Sequence, residues 1–139
     1  MKNLSIFVLL ILVGCSPKET FQTQFPIPIA DYYYEINGNK TYFIIEFQQP
    51  IPSEIKVKKL YFLNQYEAIK MLSNQKAGAI FIKPDLILDA NPEKEYGNQA
   101  PIPQKQRFQI NYTEAVLEFT QNNKIKHYKF TNVTEKSNK

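Results

Sequence analysis

Short runs of β-branched and aromatic residues alternate with turn-forming residues along most of this chain, and this pattern limits the possible folds most strongly. The clearest runs span 32–36 and 41–47 and flank Asn37-Gly38. Ile, Thr, Tyr and Phe fit a pleated surface, and Asn-Gly accepts the positive φ of a tight turn. We therefore predict a β-hairpin here, and no segment shows a convincing helical pattern.

Six further runs predict strands at 54–63, 66–72, 79–82, 108–112, 115–120 and 125–133. In the run 54–63, Ile55 and Val57 occupy odd-numbered positions, whereas Leu60 and Phe62 occupy even-numbered positions. This change predicts a β-bulge near Lys58 and Lys59, which would keep all four of these side chains on one face. The 66–72 run also fits helical spacing, but its neighbours favour a strand. The expected fold is all-β: an antiparallel immunoglobulin-like β-sandwich of six to eight strands, preceded by an N-terminal signal helix and an extended tether.

The N-terminus has the order of charge, apolar run and small residue that is typical of a secretory signal. Lys2 precedes an unbroken apolar run at 6–13, which is shorter than the ~20 residues that a membrane-spanning helix needs. The last residues before Cys15 are Leu12, Val13 and Gly14. This segment resembles the signal peptide of bacterial lipoproteins, with 12–15 in the place of the lipobox.

The lipoprotein resemblance implies a covalent lipid anchor on Cys15. In that family the signal, here 1–14, is removed, the cysteine thiol carries diacylglycerol, and the new amine is acylated. Two or more chains anchor a protein stably, whereas one binds only marginally. Because Cys15 is the only cysteine, the domain is expected to be stabilised by its core without disulfides. No other cofactor is expected, apart from the calcium hypothesis below.

Residues 15–30 contain Pro17, Pro26 and Pro28 and have two interpretations. Proline at this density favours an extended tether between the anchor and the domain. Alternating apolar residues at 21–29 equally fit a first edge strand on the sandwich. The sandwich domain itself is expected at 31–134, followed by a polar, frayed tail at 135–139.

The net charge argues against a nucleic-acid partner. The chain has 17 basic and 13 acidic residues, a formal charge of +4, and removal of Lys2 with the signal leaves +3. Arg107 is the only arginine and the lysines are scattered, so the basic stripe of a nucleic-acid binder is missing.

Three short motifs carry a resemblance to a narrower group of proteins. They are the segment 85–92, which begins Asp-Leu-Ile and ends Asn-Pro, the sequence Glu-Tyr-Gly-Asn at 95–98, and a final hairpin that follows Glu114. From about residue 60 to 133 the chain resembles uncharacterised small lipoproteins of Bacteroidetes, particularly of flavobacteria. This resemblance implies provenance and no particular activity.

The long segment from 84 to 106 is the first place to expect a site, because long loops in compact domains are usually functional or mobile. Oxygen ligands suited to a weak calcium site gather at Asp85, Asp89, Asn91, Glu93 and Glu95. Turn chemistry explains Asn91 equally well. A candidate binding loop follows, made of Tyr96, Gly97 and Asn98.

Catalysis finds little support in the sequence. The only histidine, His127, lies in a predicted strand and is expected at its surface, and the only cysteine is assigned to lipid. We therefore expect a non-enzymatic, lipid-anchored module of the cell envelope that binds another envelope protein or a glycan. The alternative is a small periplasmic enzyme or enzyme inhibitor. Ser16 after Cys15 favours attachment to the outer membrane facing the periplasm, with the cell surface as the alternative.

Overall fold

Nine β-strands and no helix make up the regular structure of residues 20–83 and 107–137, which are the residues that this computed structural model describes. The strands are β1 (Ile29–Asn37), β2 (Lys40–Phe47), β3 (Ile55–Phe62), β4 (Gln65–Ala68), β5 (Lys70–Ser73), β6 (Lys76–Ile82), β7 (Ala115–Gln121), β8 (Lys124–Phe130) and β9 (Thr134–Glu135). The predicted signal helix and the first residues of the predicted tether lie outside the described residues.

The nine strands form two sheets that enclose one core. Sheet one has the order β5-β6-β2-β1-β9 and sheet two the order β4-β3-β7-β8. Every pair of neighbouring strands is antiparallel except β1 with β9. The predicted all-β sandwich is therefore confirmed. The largest fully buried side chains come from both sheets: Phe43, Ile45, Leu60, Phe62, Phe81, Val116, Leu117, Phe119 and Phe130.

The predicted β1–β2 hairpin is present, and its turn is displaced by one residue from the Asn-Gly pair. Asn37 lies opposite Lys40, so Gly38 and Asn39 form the two-residue loop. Gly38 has a φ of 61° at the first loop position, as in a type II′ turn. The twist of this turn matches that of the flanking strands, and glycine adopts it without steric cost.

The bulge predicted in β3 is also present. Val57 lies opposite Phe119 and Lys59 opposite Glu118, which leaves Lys58 as the extra residue. After this shift Leu60 points to the same side as Ile55, and both are buried. The bulge thus keeps the apolar side chains of β3 in the core on both sides of the two lysines.

The single strand predicted at 66–72 is two short strands in different sheets. β4 pairs with β3 in sheet two, and β5 pairs with β6 in sheet one. The chain crosses between the sheets at Ile69, which is buried and whose amide donates to the carbonyl of the bulged Lys58 over 3.2 Å. The mixed periodicity of this run reflects the crossing, because Ile69 alone is buried among exposed neighbours.

Residues 21–29 pack against the sandwich, as the second interpretation of this segment predicts, but they do not form the edge strand that it also predicts. Phe25 and Ile27 are buried in the core. The amide of Gln22 donates to the carbonyl of His127 over 2.8 Å, and Gln22 forms an isolated parallel bridge with Tyr128 at the edge of β8. Packed structure therefore begins before residue 31, although regular strand geometry begins only at Ile29.

Two expectations near the C-terminal end are wrong. The run at 108–112 forms no strand, because the Asn111 side chain accepts from the Thr113 amide over 2.9 Å and closes a turn there. The tail is held in place as far as Lys136. Glu135 belongs to β9, and the amide of Lys136 donates to the carbonyl of Tyr34 over 2.8 Å. The split at Ile69, the loss of this strand and the gain of β9 raise the number of strands to nine.

Candidate functional site

An apolar surface occupies part of the outer face of sheet one. Residues directly opposite each other on paired strands share a face, so Tyr42 and Ile80 point outward together, as do Ile44 and Gly78. Leu72 and Ile82 extend this surface. The exposed fractions of Leu72, Ile80 and Ile82 are 59%, 48% and 53%. We call the set Tyr42, Ile44, Leu72, Ile80 and Ile82 the sheet-one patch.

Gly78 makes the centre of the sheet-one patch concave. A Cβ atom at this position would lie 2.9 Å from Cδ1 of Leu72 and 3.4 Å from Cδ1 of Ile44. Glycine therefore leaves the space into which these two side chains lean. The hollow continues into a groove of about 440 Å³ that Glu67 and Lys70 border on one side.

A row of charged and polar groups borders the patch on the side of β1. Lys76 Nζ lies 3.1 Å from Glu46 Oε1, and the Tyr33 hydroxyl donates to the same oxygen over 3.1 Å. The Lys136 ammonium lies over the Tyr33 ring, 3.8 Å from its centre, and pairs with Asp31. Burial raises the pKa of Tyr33, and the hydrogen bond from Lys136 lowers the pKa of Asp31. This row marks the limit of the apolar surface.

The outer face of sheet two carries a different cluster, centred on the carboxylate of Glu118. Its Oε2 atom lies 3.1 Å from His127 Nε2, 3.3 Å from an Arg107 guanidinium nitrogen and 3.4 Å from the Tyr61 hydroxyl. The ring of Phe108 covers this cluster, with its centre 5.1 Å from that of His127 and 4.8 Å from that of Tyr61. Burial raises the pKa of Tyr61.

The prediction of His127 as a surface residue is wrong. Its side chain is buried because Phe108 lies across the outer face of β8 and Glu118 is its direct neighbour on β7. In the part of the chain that the structure describes, every buried side-chain nitrogen or oxygen atom has a hydrogen-bond partner. A cluster whose buried atoms are all paired has the character of a structural network.

The site residues predicted from sequence lie outside residues 20–83 and 107–137. This holds for the lipidation segment Leu12, Val13, Gly14 and Cys15, for the calcium candidates Asp85, Asp89, Asn91, Glu93 and Glu95, and for the loop Tyr96, Gly97 and Asn98. Within the described ranges, no group of three or more His, Cys, Asp or Glu residues is arranged to hold a metal ion. The same ranges contain no helix with the length and apolar character to cross a bilayer.

Sequence reasoning missed the sheet-one patch. A continuous apolar run such as 79–82 is typical of a strand in the middle of a sheet, and β6 does lie between β5 and β2. Its side chains alternate, however, so Phe81 is buried while Ile80 and Ile82 are exposed. The alternation of side chains in β2 indicates this surface, because Tyr42 and Ile44 are apolar and lie on the face opposite Phe43 and Ile45.

Comparison of the chain with protein-family models, with curated proteins and with solved structures found no match.

Proposed function

We propose that this protein is a lipid-anchored, non-enzymatic module of the cell envelope, and that the sheet-one patch binds another envelope protein. The observation that carries the proposal is the exposure of three large aliphatic side chains, Leu72, Ile80 and Ile82, on one sheet face. Contiguous apolar surfaces of this kind mark interaction sites on water-soluble domains.

The composition of the sheet-one patch favours a protein partner over a glycan. Leucine and isoleucine offer no hydrogen bonds, whereas a sugar presents hydroxyl groups that need polar partners when they are buried. The charged row of Lys76, Glu46 and Lys136 lies at the margin and gives the surface the apolar centre and polar rim of a protein interface.

The anchoring part of the proposal rests on the N-terminal sequence. The order of Lys2, an apolar run, Gly14 and Cys15 supports cleavage before the cysteine and its acylation. Attachment to the outer membrane, facing the periplasm, remains the favoured location, with the cell surface as the alternative.

The Glu118 cluster is the observation that favours the second candidate, a small periplasmic enzyme. A carboxylate and an imidazole 3.1 Å apart are the pair that general acid–base chemistry uses. Here, however, the same carboxylate also accepts hydrogen bonds from Arg107 and Tyr61, and the ring of Phe108 covers the carboxylate and the imidazole. This arrangement supports a structural role, and the binding module is the better-supported function.

Site-specific photo-crosslinking tests the proposed interface. A photoreactive side chain is placed at Ile80 of the full-length chain in the cells that produce it, and at Lys124 as the control. We expect one protein adduct of defined mass from position 80 and none from position 124. Leu72→Glu in the same chain should abolish the adduct, because a buried unpaired carboxylate is costly. Lys124→Glu should leave it unchanged.

Three outcomes would contradict the proposed interface. An adduct of twice the mass of the chain would identify a second copy as the occupant. An adduct that contains carbohydrate in place of polypeptide would identify a glycan ligand. The absence of any adduct specific to Ile80 would remove the patch as an interface.

A further inference from the structure

The two sheets differ in charge. The strands of sheet two carry six lysines against two glutamates, Glu67 and Glu118, for a net charge of +4. The strands of sheet one carry three lysines against four acidic residues, for a net charge of −1. The strands of sheet two therefore carry a larger net positive charge than the strands of sheet one.

The N-terminal segment reaches the sandwich on this positive side. The ring of Phe21 lies 5.6 Å from that of Phe108, which covers the outer face of sheet two, and Lys129 Nζ lies 5.8 Å from the centre of the Phe21 ring. Thr20 is five positions after Cys15 in the chain, and a stretch of this length spans at most about 18 Å when fully extended. A lipid on Cys15 would therefore hold the outer face of sheet two close to the membrane.

The outer face of sheet two also carries side chains suited to a membrane interface. Lys56 lies opposite Thr120 and Lys59 opposite Glu118, so both lysines point outward, and both are exposed. Ile125 is 66% exposed and Tyr66 is 40% exposed. These two residues line a groove of about 430 Å³ together with Lys58 and Lys59, and the side chains of Glu67 and Glu118 also border it. Tyrosine and lysine are common at the boundary between headgroups and acyl chains.

We propose that the outer face of sheet two binds a bilayer surface of anionic phospholipid headgroups, which fixes the orientation of the sandwich and points the sheet-one patch away from the membrane. This inference rests on the proposed anchoring at Cys15, which brings the face within reach of the bilayer. The separation of charge between the sheets supplies the attraction, and Ile125 and Tyr66 supply the apolar contact.

Vesicle binding by a chain without its lipid tests this surface. The chain from residue 15 onward with Cys15→Ser retains every core contact that the structure describes, since Phe25 is the first buried residue within 20–83. We expect it to bind vesicles that contain phosphatidylglycerol and to bind pure phosphatidylcholine much more weakly. Binding should weaken as salt is added.

Two double variants with equal net charge locate the binding face. Lys56→Gln with Lys59→Gln removes two cations from sheet two, and Lys40→Gln with Lys70→Gln removes two from sheet one. The first variant should bind anionic vesicles about 25-fold more weakly, because each cation near such a surface contributes about fivefold, or about 1 kcal/mol. The second should stay within about twofold of the parent chain. Thermal unfolding of both variants confirms that they remain folded.

Equal losses in the two double variants, or equal binding to neutral and anionic vesicles, would overturn the proposal. The test chain has no acyl group and an intact sheet-one patch. Its result therefore does not depend on the crosslinking experiment at Ile80 or on acylation at Cys15, and the two proposals fail separately.

Discussion

Tyr33 shows how a single residue on the outer face of sheet one becomes part of the fold. Its side chain is buried, its hydroxyl donates to Glu46, and Lys136 covers its ring. Burial is the main reason that its pKa is raised above 10.0, and the neighbouring carboxylate adds to the effect. The folded protein thus keeps this phenol neutral at a pH where an unfolded chain begins to ionise it.

The stability that Tyr33 contributes should decrease at alkaline pH. Because the pKa of Tyr33 is raised in the folded state, its contribution to the free energy of unfolding is complete below pH 10.0, the ordinary pKa of tyrosine. The contribution is lost as the pH rises through the pKa of the folded state. Tyr33→Phe should lower the free energy of unfolding by about 0.5–1.5 kcal/mol near neutral pH through loss of the hydrogen bond to Glu46. The difference from the parent chain should narrow at about pH 11, because phenylalanine does not ionise.

Urea denaturation of both chains at the two pH values measures this difference. Tyr112→Phe is the matched control, since Tyr112 is largely exposed and should leave both free energies unchanged. A difference between Tyr33→Phe and the parent chain that stays constant from neutral to alkaline pH would contradict the interpretation.

At the scale of elements, the segment before β1 completes the core without forming a strand. The ring of Phe25 lies 5.6 Å from that of Phe47 in sheet one and 4.8 Å from that of Phe119 in sheet two. It therefore contacts both sheets. Pro26 and Pro28 have no amide hydrogen to donate, which limits the backbone hydrogen bonds that this segment can form with a neighbouring strand.

Phe25→Ala should destabilise the sandwich as strongly as a central core substitution. Replacement of a buried phenylalanine by alanine typically costs about 3–5 kcal/mol through lost burial and the cavity that remains. Thr23→Ala, two residues earlier and exposed, should change the stability by less than about 0.5 kcal/mol. Denaturant unfolding distinguishes the two, and a cost for Phe25→Ala similar to that for Thr23→Ala would show that the segment is only a tether.

Local pattern predicts those features that turn chemistry or side-chain alternation determines within one segment of the chain. The hairpin at Gly38 and the bulge at Lys58 follow from turn chemistry and side-chain parity within about ten residues. The crossing at Ile69 and the pairing of β9 with β1 depend on which sheet a distant strand joins. The alternation of side chains along a strand shows which face is buried, but it does not show which strand is the neighbour. The predicted strand at 108–112 failed for a local reason, since Asn111 favours a turn.

At the scale of the whole molecule, the sandwich presents two unlike faces. The apolar patch of sheet one and the basic surface of sheet two lie on opposite sides of a single core. Neither follows from the overall composition, which shows only a mild positive charge and scattered lysines. Both arise because strands far apart in sequence, such as β3 and β8, become members of the same sheet through β7.

The proposed lipid anchor on Cys15 would give these two faces a fixed orientation in the cell. Cys15→Ser should abolish labelling by a radioactive fatty acid and should reduce recovery of the protein in the membrane fraction, because acyl chains provide the stable attachment. Ser16→Ala is the matched control and should leave labelling intact. Continued labelling of the Cys15→Ser chain would rule out the lipoprotein assignment.

The docking of residues 20–29 has a mechanical consequence. A pull on the N-terminal end of this chain acts first on the contacts of Phe21 with Phe108 and Lys129, and then on the bond from Gln22 to His127. Force applied in this direction therefore loads the docked segment before it loads the strands of the sandwich. Under such a force the contacts of Phe25 and Ile27 would break before the hairpin of β1 and β2 does. Unfolding by force from this end would therefore start at the N-terminal segment.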